Sequence, residues 1–217
     1  MRAPGLREHG DVHIPVVVLA GFLGAGKTTV LNQLLRTATD VRLGVVVNDF
    51  GAVGIDALFV AGWAEGTVSL ENGCLCCSSE DGSLEELLAT LVARRRGPKL
   101  DAILIEASGV AEPAAMVRRV LATQLPGVEY GGLVVVVDAV EFEATRLRHP
   151  VLEDHIAMAD VVLFTKTDLV GDDDVARVAA GCRALNAWAP VVPASRGAID
   201  PRLLVEHRPP PGHRPPG

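Results

Sequence analysis

The sequence has few aromatic residues and no long apolar run. Aromatic side chains make up 4% of the 217 residues, whereas hydrophobic residues as a class reach 49% and are mostly Val, Leu and Ala. That balance is typical of buried parallel strands covered by helices rich in small residues. Apolar runs such as residues 14–20 and 133–137 are far below the roughly 20 residues of a membrane-spanning helix. We therefore expect no membrane partner.

The sequence also lacks an excess of basic residues. Its formal net charge of -7 argues against general affinity for nucleic acid, which needs a basic surface to displace counterions. Residues 1–10 contain two Arg, one Glu and one His without an apolar stretch, so they do not resemble a secretory signal. We expect a cytoplasmic protein with no nucleic-acid partner.

Cysteine is scarce, and its distribution is uneven. Four cysteines in a cytoplasmic chain argue against a disulfide framework. Three of them fall within residues 74–77, which composition alone would rarely produce. The fourth, Cys182, lies in an Ala-rich helical pattern and is expected to be a small core residue.

Strand and helix patterns alternate along the chain. This alternation predicts an α/β fold with a mostly parallel central sheet and helices on both faces. We expect a polar leader over residues 1–12, one nucleotide-binding domain over 13–200 and a Pro-rich flexible tail over 201–217. The expected strands cover residues 13–20, 42–48, 67–71, 100–106, 132–138, 160–165 and 191–194, and the expected helices cover 27–37, 82–96, 112–124, 141–157 and 172–187.

A phosphate-binding loop follows the first strand. The segment from Gly21 to Thr29 reads Gly-Phe-Leu-Gly-Ala-Gly-Lys-Thr-Thr, a P-loop pattern between a Val-rich strand and a helix. Its backbone N–H groups would surround the phosphates, and the fold is expected to be a P-loop NTPase. Lys27 would reach the β- and γ-phosphates, and the Thr28 hydroxyl would bind Mg²⁺. The predicted nucleotide-binding residues of this loop are Gly24, Ala25, Gly26, Lys27, Thr28 and Thr29.

A second element for the phosphate end is the segment from Glu106 to Gly109, Glu-Ala-Ser-Gly. It follows an apolar strand, so the Glu106 carboxylate is expected beside the phosphate loop. There it would bind Mg²⁺ through water or, alternatively, help to position the attacking water. The backbone N–H of Gly109 would approach the γ-phosphate and sense its presence.

The segment from Thr165 to Asp168, Thr-Lys-Thr-Asp, is placed to recognise the base. The Asp168 carboxylate can accept two hydrogen bonds from guanine, and adenine offers no such donor pair. The stem of Lys166 would lie along the base. Thr165 stands where Asn is commoner, which predicts a GTP preference weaker than that of a strict GTPase. Ser195, just after the last strand, is a candidate to close over the base.

The cysteine cluster predicts a metal site. Cys74, Cys76 and Cys77 would supply three thiolates to Zn²⁺ or another soft ion. The fourth position would remain for a carboxylate, a water or a partner's ligand, which suits a site that passes metal on. Redox chemistry and inert packing are the alternatives.

With these motifs the chain resembles the CobW-like family of P-loop GTPases, whose members act as metal chaperones or insertases. The resemblance implies slow GTP hydrolysis, zinc or cobalt on the cysteine loop, and a switch segment beside the nucleotide. In that segment Asp49 stands where Glu is usual, so its reach is shorter. Most members continue into a second, C-terminal domain. The matching segments, in the family's order, are residues 21–29, 48–51 with 54–56, 71–77, 106–109 and 165–168.

The leading hypothesis is therefore a GTP-driven metal carrier that uses GTP/GDP, Mg²⁺ and Zn²⁺ or Co²⁺. Its partner would be a client metalloprotein or a metal-cofactor enzyme, and a homodimer is left open. The candidate residues for hydrolysis are Lys27, Thr28, Asp49, Glu106 and Gly109. Two other functions remain open: a nucleotide-dependent kinase or ATPase with a structural zinc, and a non-catalytic binding module stabilised by nucleotide.

Overall fold

The computed structural model describes residues 13–47, 58–61, 84–93, 100–107 and 112–206. The strands are β1 Ile14–Gly21, β2 Leu43–Val47, β3 Leu58–Ala61, β4 Ala102–Glu106, β5 Val128–Asp138, β6 Val161–Thr165 and β7 Val191–Ala194. The helices are α1 Lys27–Thr37, α2 Leu84–Val92, α3 Pro113–Ala122, α4 Phe142–Arg148, α5 Val151–Ala157, α6 Asp172–Leu185 and α7 Arg202–Glu206.

The strands form one seven-stranded sheet in the order β3-β2-β4-β1-β5-β6-β7. Every neighbouring pair is parallel except β2 and β3, which are antiparallel. The prediction of a mostly parallel α/β sheet is confirmed. Strand β1 occupies a central place between β4 and β5, so the loop that follows β1 lies among the carboxyl ends of its neighbours. Such a position is where open α/β sheets bind ligands.

Alternating side chains of β1 enter two separate hydrophobic layers. Val16 and Val18 belong to the cluster that includes buried residues of α2, α3, α4, α5 and α6. Val17 and Leu19 belong to the other, with buried residues of α1 and α7. Because successive strand residues point to opposite faces, a strand apolar at every position is covered on both sides. The helices therefore lie on both faces, as predicted.

The helix expected over residues 141–157 is two helices. α4 ends at Arg148 and α5 begins at Val151, with Pro150 between them. Proline lacks a backbone N–H, and it disfavours helical backbone in the residue before it. His149 accordingly has φ -135° and ψ 80°. The proline was visible in the sequence, and the uninterrupted helix was a wrong prediction.

The structure also differs from the expectation at one edge of the sheet and near the carboxyl end of the described residues. The short strand β3 was not predicted, and the strand expected over residues 67–71 lies outside the described residues. At the other end, α7 lies within the segment expected to be a tail. Leu204 of α7 is buried in the same cluster as Val17 and Val134, which explains why the chain stays helical there.

The helices are short. The longest one described, α6, has 14 residues. Within the described ranges no helix is both long and apolar enough to cross a membrane.

Candidate nucleotide-binding site

The loop between β1 and α1 is shaped by glycines in left-handed backbone. Gly24 has φ 78° and Gly26 has φ 94°, values that side chains with a Cβ rarely adopt. At Gly26 space is also limited, because a Cβ there would lie 3.3 Å from Oγ1 of Thr165. Residues 22–26 therefore curl as a phosphate loop requires, and α1 begins directly afterwards at Lys27.

The Lys27 ammonium group folds back into its own loop. Nζ donates hydrogen bonds to the carbonyl oxygens of Gly21 at 2.8 Å and Phe22 at 3.3 Å. The residue is only 8% exposed. A cation is thus held inside the loop, where phosphate oxygens would arrive.

The first turn of α1 contacts the end of β4. Oγ1 of Thr28 donates to Oε1 of Glu106 at 3.2 Å. Glu106 is buried although it is charged, being 7% exposed. Two oxygen groups from segments 78 residues apart therefore meet beside the phosphate loop. A hydroxyl and a carboxylate are donors that Mg²⁺ accepts, so the pair fits a magnesium site.

The segment predicted to recognise the base, residues 165–168, is hydrogen-bonded to the phosphate loop. Oγ1 of Thr165 lies 2.6 Å from the carbonyl oxygen of Ala25 and 3.2 Å from that of Val137. A hydroxyl has one proton to donate, and the shorter contact is the one to Ala25. The end of β6 is thus fixed to the loop after β1.

Lys166 adopts left-handed backbone with φ 57°, which is uncommon for a residue with a side chain. Its Nζ lies 2.5 Å from Oδ2 of Asp138, at the end of β5. The other carboxylate oxygen, Oδ1, accepts hydrogen bonds from the backbone N–H groups of Val140 and Glu141. The lysine is therefore anchored at both ends, by its backbone in the turn and by its ammonium group on β5.

Asp168 faces the loop that follows β7. Its Oδ1 accepts a hydrogen bond from the backbone N–H of Arg196 at 3.3 Å, and Oδ2 lies 3.7 Å from the Arg196 Nε. Ser195 begins this loop and is exposed. At Gly197 a Cβ would come within 3.0 Å of the backbone of Thr29, so the loop packs tightly on α1. The geometry brings Ser195 and Asp168 to one edge of the site.

A cavity of about 320 Å³ lies between the phosphate loop and α4. Its lining includes two ion pairs, Lys166 with Asp138 and Arg148 with Glu141. Both pairs join opposite charges across short distances, so the acidic side chains of the wall are each paired with a basic one. The rest of the wall is largely apolar.

The aromatic ring of Phe22 connects the phosphate loop to α5. Its centroid lies 5.1 Å from that of His149 and 5.7 Å from that of His155. Burial lowers the pKa of His155, and the nearby carboxylates of Asp154 and Glu112 only partly oppose this shift. Among the described residues, Nδ1 of His155 has no hydrogen-bond partner. The His155 imidazole is thus packed against Phe22 of the loop.

The structure brings together the described members of the predicted site. The phosphate-loop residues, Glu106, Lys166, Asp168 and Ser195 all lie at the carboxyl edge of the sheet. The remaining predicted residues, Asp49, Gly109, Cys74, Cys76 and Cys77, lie outside the described residues. Within the described ranges no group of three or more His, Cys, Asp or Glu side chains could hold a metal ion.

Sequence reasoning missed Asp138. The signal was available, because an acidic residue ends an apolar strand in the same way as Glu106 does. What the sequence could not reveal is that β5 is the neighbour of both β1 and β6, which places this carboxylate beside Lys166.

Known proteins of one family are similar to this chain over most of its length. The family model described as the nucleotide-binding domain of CobW/HypB/UreG matches residues 15–193. The zinc chaperone YjiA of Escherichia coli is 32% identical over 194 residues, which cover 88% of this chain and 60% of the relative. The zinc chaperone CobW of Pseudomonas aeruginosa is 35% identical over 228 residues, with coverage of 88% and 59%.

More distant relatives include a zinc-regulated GTPase metalloprotein activator 1 of Schizosaccharomyces pombe, 28% identical over 207 residues. It is covered over 47% of its length, and 86% of this chain is matched. The chain thus spans about half to three fifths of the length of these curated relatives.

Among solved structures, the zinc-bound YjiA GTPase from E. coli has a similar fold. The TM-score is 0.64 with 24% identity, covering 91% of this chain and 62% of that one.

Proposed function

Because the chain belongs to the CobW/HypB/UreG family of nucleotide-binding domains, we propose that it binds and hydrolyses GTP and couples the nucleotide to a metal ion. The observation that carries this proposal is the contact between Thr28 and Glu106 at 3.2 Å. It supplies oxygen donors for a cation directly beside a phosphate-binding loop. The names of the relatives, zinc chaperones and a zinc-regulated GTPase metalloprotein activator, support the metal part.

At the phosphate end, Lys27 changes partners when nucleotide binds. Its ammonium group now donates to the carbonyl oxygens of Gly21 and Phe22. The β- and γ-phosphate oxygens are stronger acceptors because they are charged, so the lysine turns towards them. The N–H groups of residues 24–29 contribute further donors, assisted by the positive end of α1.

Thr28 and Glu106 are the residues that would hold Mg²⁺. The cation, when bound, would draw negative charge from the phosphates of GTP. Glu106, directly or through water, keeps one side of the phosphate site polar and orders the solvent there. Asp49 and Gly109, which lie outside the described residues, are proposed as switch residues that respond to the γ-phosphate.

At the base end, Asp168 selects guanine. Its carboxylate accepts hydrogen bonds from the ring N–H and the exocyclic amino group, which adenine cannot reproduce. The stem of Lys166 lies along the base, and Ser195, on the same edge as Asp168, closes over it. The position of Asp168 next to the Arg196 backbone supports this assignment, because it holds the carboxylate at the mouth of the site.

The cargo is a metal ion bound by Cys74, Cys76 and Cys77. Three thiolates favour Zn²⁺, and Co²⁺ can use the same ligands. The recipient is a client metalloprotein or a metal-cofactor enzyme. The domain proposed for this function covers residues 13–200, and the packing of Leu204 adds α7 to it. A homodimer remains a prediction, to be checked by light scattering with and without a GTP analogue.

Hydrolysis is tested with Thr28→Ala. Wild-type protein with Mg²⁺ should release phosphate from GTP, and this variant should lose the activity because it lacks the hydroxyl beside Glu106. Thr37→Ala is a matched control, since Thr37 lies at the other end of α1 and its hydroxyl donates to the carbonyl oxygen of Gln33. Equal turnover in wild type and Thr28→Ala would refute the assignment.

Base selection is tested by comparing GTP with ATP. Wild-type protein should prefer GTP, and Asp168→Ala should reduce that preference without abolishing phosphate binding. Tight binding of ATP with no preference for GTP would instead indicate a kinase or an ATPase.

Coupling to metal is tested by titrating Zn²⁺ against a competing chelator, with and without a non-hydrolysable GTP analogue. Since coupling is reciprocal, the factor by which the analogue changes zinc affinity must equal the factor by which zinc changes analogue affinity. Identical zinc affinities in the two titrations would rule out nucleotide control of the metal site.

A further inference from the structure

We propose that Asp138 is a positioning residue for nucleotide binding, which acts by holding Lys166 against the base. The inference rests on the proposed guanine site and adds to it a residue from β5. Asp138 does not contact the nucleotide in this proposal. It determines where the lysine stem lies before the nucleotide arrives.

The ion pair is short, and its carboxylate is largely buried. Nζ of Lys166 and Oδ2 of Asp138 are 2.5 Å apart, and the Asp138 side chain is 11% exposed. The Lys166 side chain is 37% exposed, so its stem remains open to the site. A charge-assisted hydrogen bond of this kind fixes the far end of an otherwise flexible side chain.

The carboxylate that anchors the lysine is itself held in place. Oδ1 of Asp138 accepts hydrogen bonds from the N–H groups of Val140 at 2.9 Å and Glu141 at 3.3 Å. Asp138 is also in register with Thr165 across the β5–β6 pair, and the N–H of Ala139 donates to the Thr165 carbonyl oxygen at 3.0 Å. The anchor therefore belongs to the sheet, and the lysine is fixed relative to it.

The space around Lys166 explains why an anchor is needed. Lys166 and Asp138 both line the cavity of about 320 Å³ beside the phosphate loop. A lysine without its partner could extend into that volume and leave the base uncovered. Holding the stem in one conformation removes this competing state, so less side-chain freedom is lost when the nucleotide binds.

A matched control lies in the same cavity wall. Glu141 pairs with Arg148 at 3.1 Å, and both side chains are more than half exposed. This pair has the same charges and borders the same cavity, but it includes no residue of the base-recognition segment. Its loss should leave nucleotide affinity unchanged.

The test measures the dissociation constant of a fluorescent GDP for wild type, Asp138→Asn and Glu141→Gln. Asparagine keeps a carbonyl oxygen for the N–H groups of Val140 and Glu141 but loses the charge. We expect a dissociation constant about three- to tenfold higher for Asp138→Asn and an unchanged value for Glu141→Gln. In GTP turnover the Asp138→Asn change should raise KM and leave kcat nearly constant.

Lys166→Met tests the same pair from the other side, because methionine keeps most of the stem and loses the ammonium group. It should weaken binding by a similar factor, and adding Asp138→Asn to it should cause no further loss. The proposal would be overturned if either single variant bound GDP as tightly as wild type or more tightly. It would also be overturned if Asp138→Asn had the same effect in the Lys166→Met background as in wild type. If wild-type protein binds no guanine nucleotide, the proposed function fails first.

Discussion

The hydroxyl of Thr165 donates a 2.6 Å hydrogen bond to the carbonyl oxygen of Ala25. This bond joins the segment proposed to recognise the base to the phosphate loop across 140 positions of sequence. Thr165 is 3% exposed, so no water competes for the contact. A threonine at this position therefore still reaches the loop, although its side chain is shorter than that of asparagine.

Replacing Thr165 with Val should destabilise the phosphate loop. Valine has nearly the same shape but leaves the buried Ala25 carbonyl without this donor, which typically costs about 1–3 kcal/mol. The free energy of unfolding, measured with urea, and the affinity for GDP should both decrease. Thr165→Ser, which keeps the hydroxyl, should lose much less of either, and equal losses in the two variants would show that the hydrogen bond is unimportant.

Gly26→Ala should abolish nucleotide binding. The new methyl group would need left-handed backbone at φ 94° and would lie 3.3 Å from Oγ1 of Thr165. The backbone strain alone is about 1–3 kcal/mol. Gly24→Ala is the comparison, since its φ is 78° but no atom lies within 4 Å of the added Cβ. Calorimetric titration with GDP should therefore find Gly24→Ala less impaired; the opposite order would contradict this account.

Glu106→Gln should weaken the dependence of nucleotide binding on Mg²⁺. The amide keeps the size of the side chain and removes the charge that a cation beside Thr28 would use. We expect the Mg²⁺ concentration for half-maximal GTP affinity to rise about tenfold, in the range of losses seen around metal sites. Glu129→Gln, at the opposite end of the sheet, should leave it unchanged. An unaltered Mg²⁺ dependence in Glu106→Gln would exclude Glu106 from the cation site.

Cys182 should be unreactive in the folded protein. Burial raises the pKa of its thiol to about 12, and its exposed fraction is 0%. Because the thiolate is the reactive form, iodoacetamide at pH 8 should label Cys182 only after unfolding. Peptide mapping by mass spectrometry with and without urea measures this directly. Rapid labelling of Cys182 in native protein would show that α6 opens easily.

Mild acid should destabilise the protein through His155. Its pKa is lowered by burial, so the unfolded chain binds a proton more readily than the folded one. The free energy of unfolding should therefore fall as the pH decreases through about 6.5. The free energy of unfolding, measured by chemical denaturation at pH 7.5 and pH 5.5, should differ less between the two pH values for His155→Leu than for wild type. A difference of the same size in both would assign the effect to other groups.

The sequence predicts most clearly those features whose determinants are contiguous. The phosphate loop could be predicted because its glycines, Lys27 and Thr28 are neighbours, and backbone shape alone creates the site. Most strands could be placed because each contains a short continuous apolar run, such as Val16–Ala20 in β1 or Leu133–Val137 in β5. The helix break at Pro150 could also be predicted from the local sequence, but it was missed because the apolar pattern continues on both sides.

Contacts between distant strands were not predictable in the same way. The position of Asp138 depends on β5 lying between β1 and β6, and strand order is not encoded in any single segment. The reach of Thr165 to Ala25 has the same origin. Strand β3 was missed because it has only four residues and is antiparallel to its neighbour, outside the alternation of strand and helix.

The order β4-β1-β5-β6 has a consequence for how such a site can change over time. Each strand delivers its functional group at its carboxyl end, so the separation of the groups is set by the strand spacing of about 4.8 Å. Apart from the first turn of α1, the crossover helices on either face do not enter that measure. Insertions or replacements in these connections can therefore accumulate without altering the spacing of the nucleotide contacts. A protein engineer could use the same freedom to insert a reporter domain in the turn between α3 and β5, residues 123–127, at the end of the sheet opposite the site.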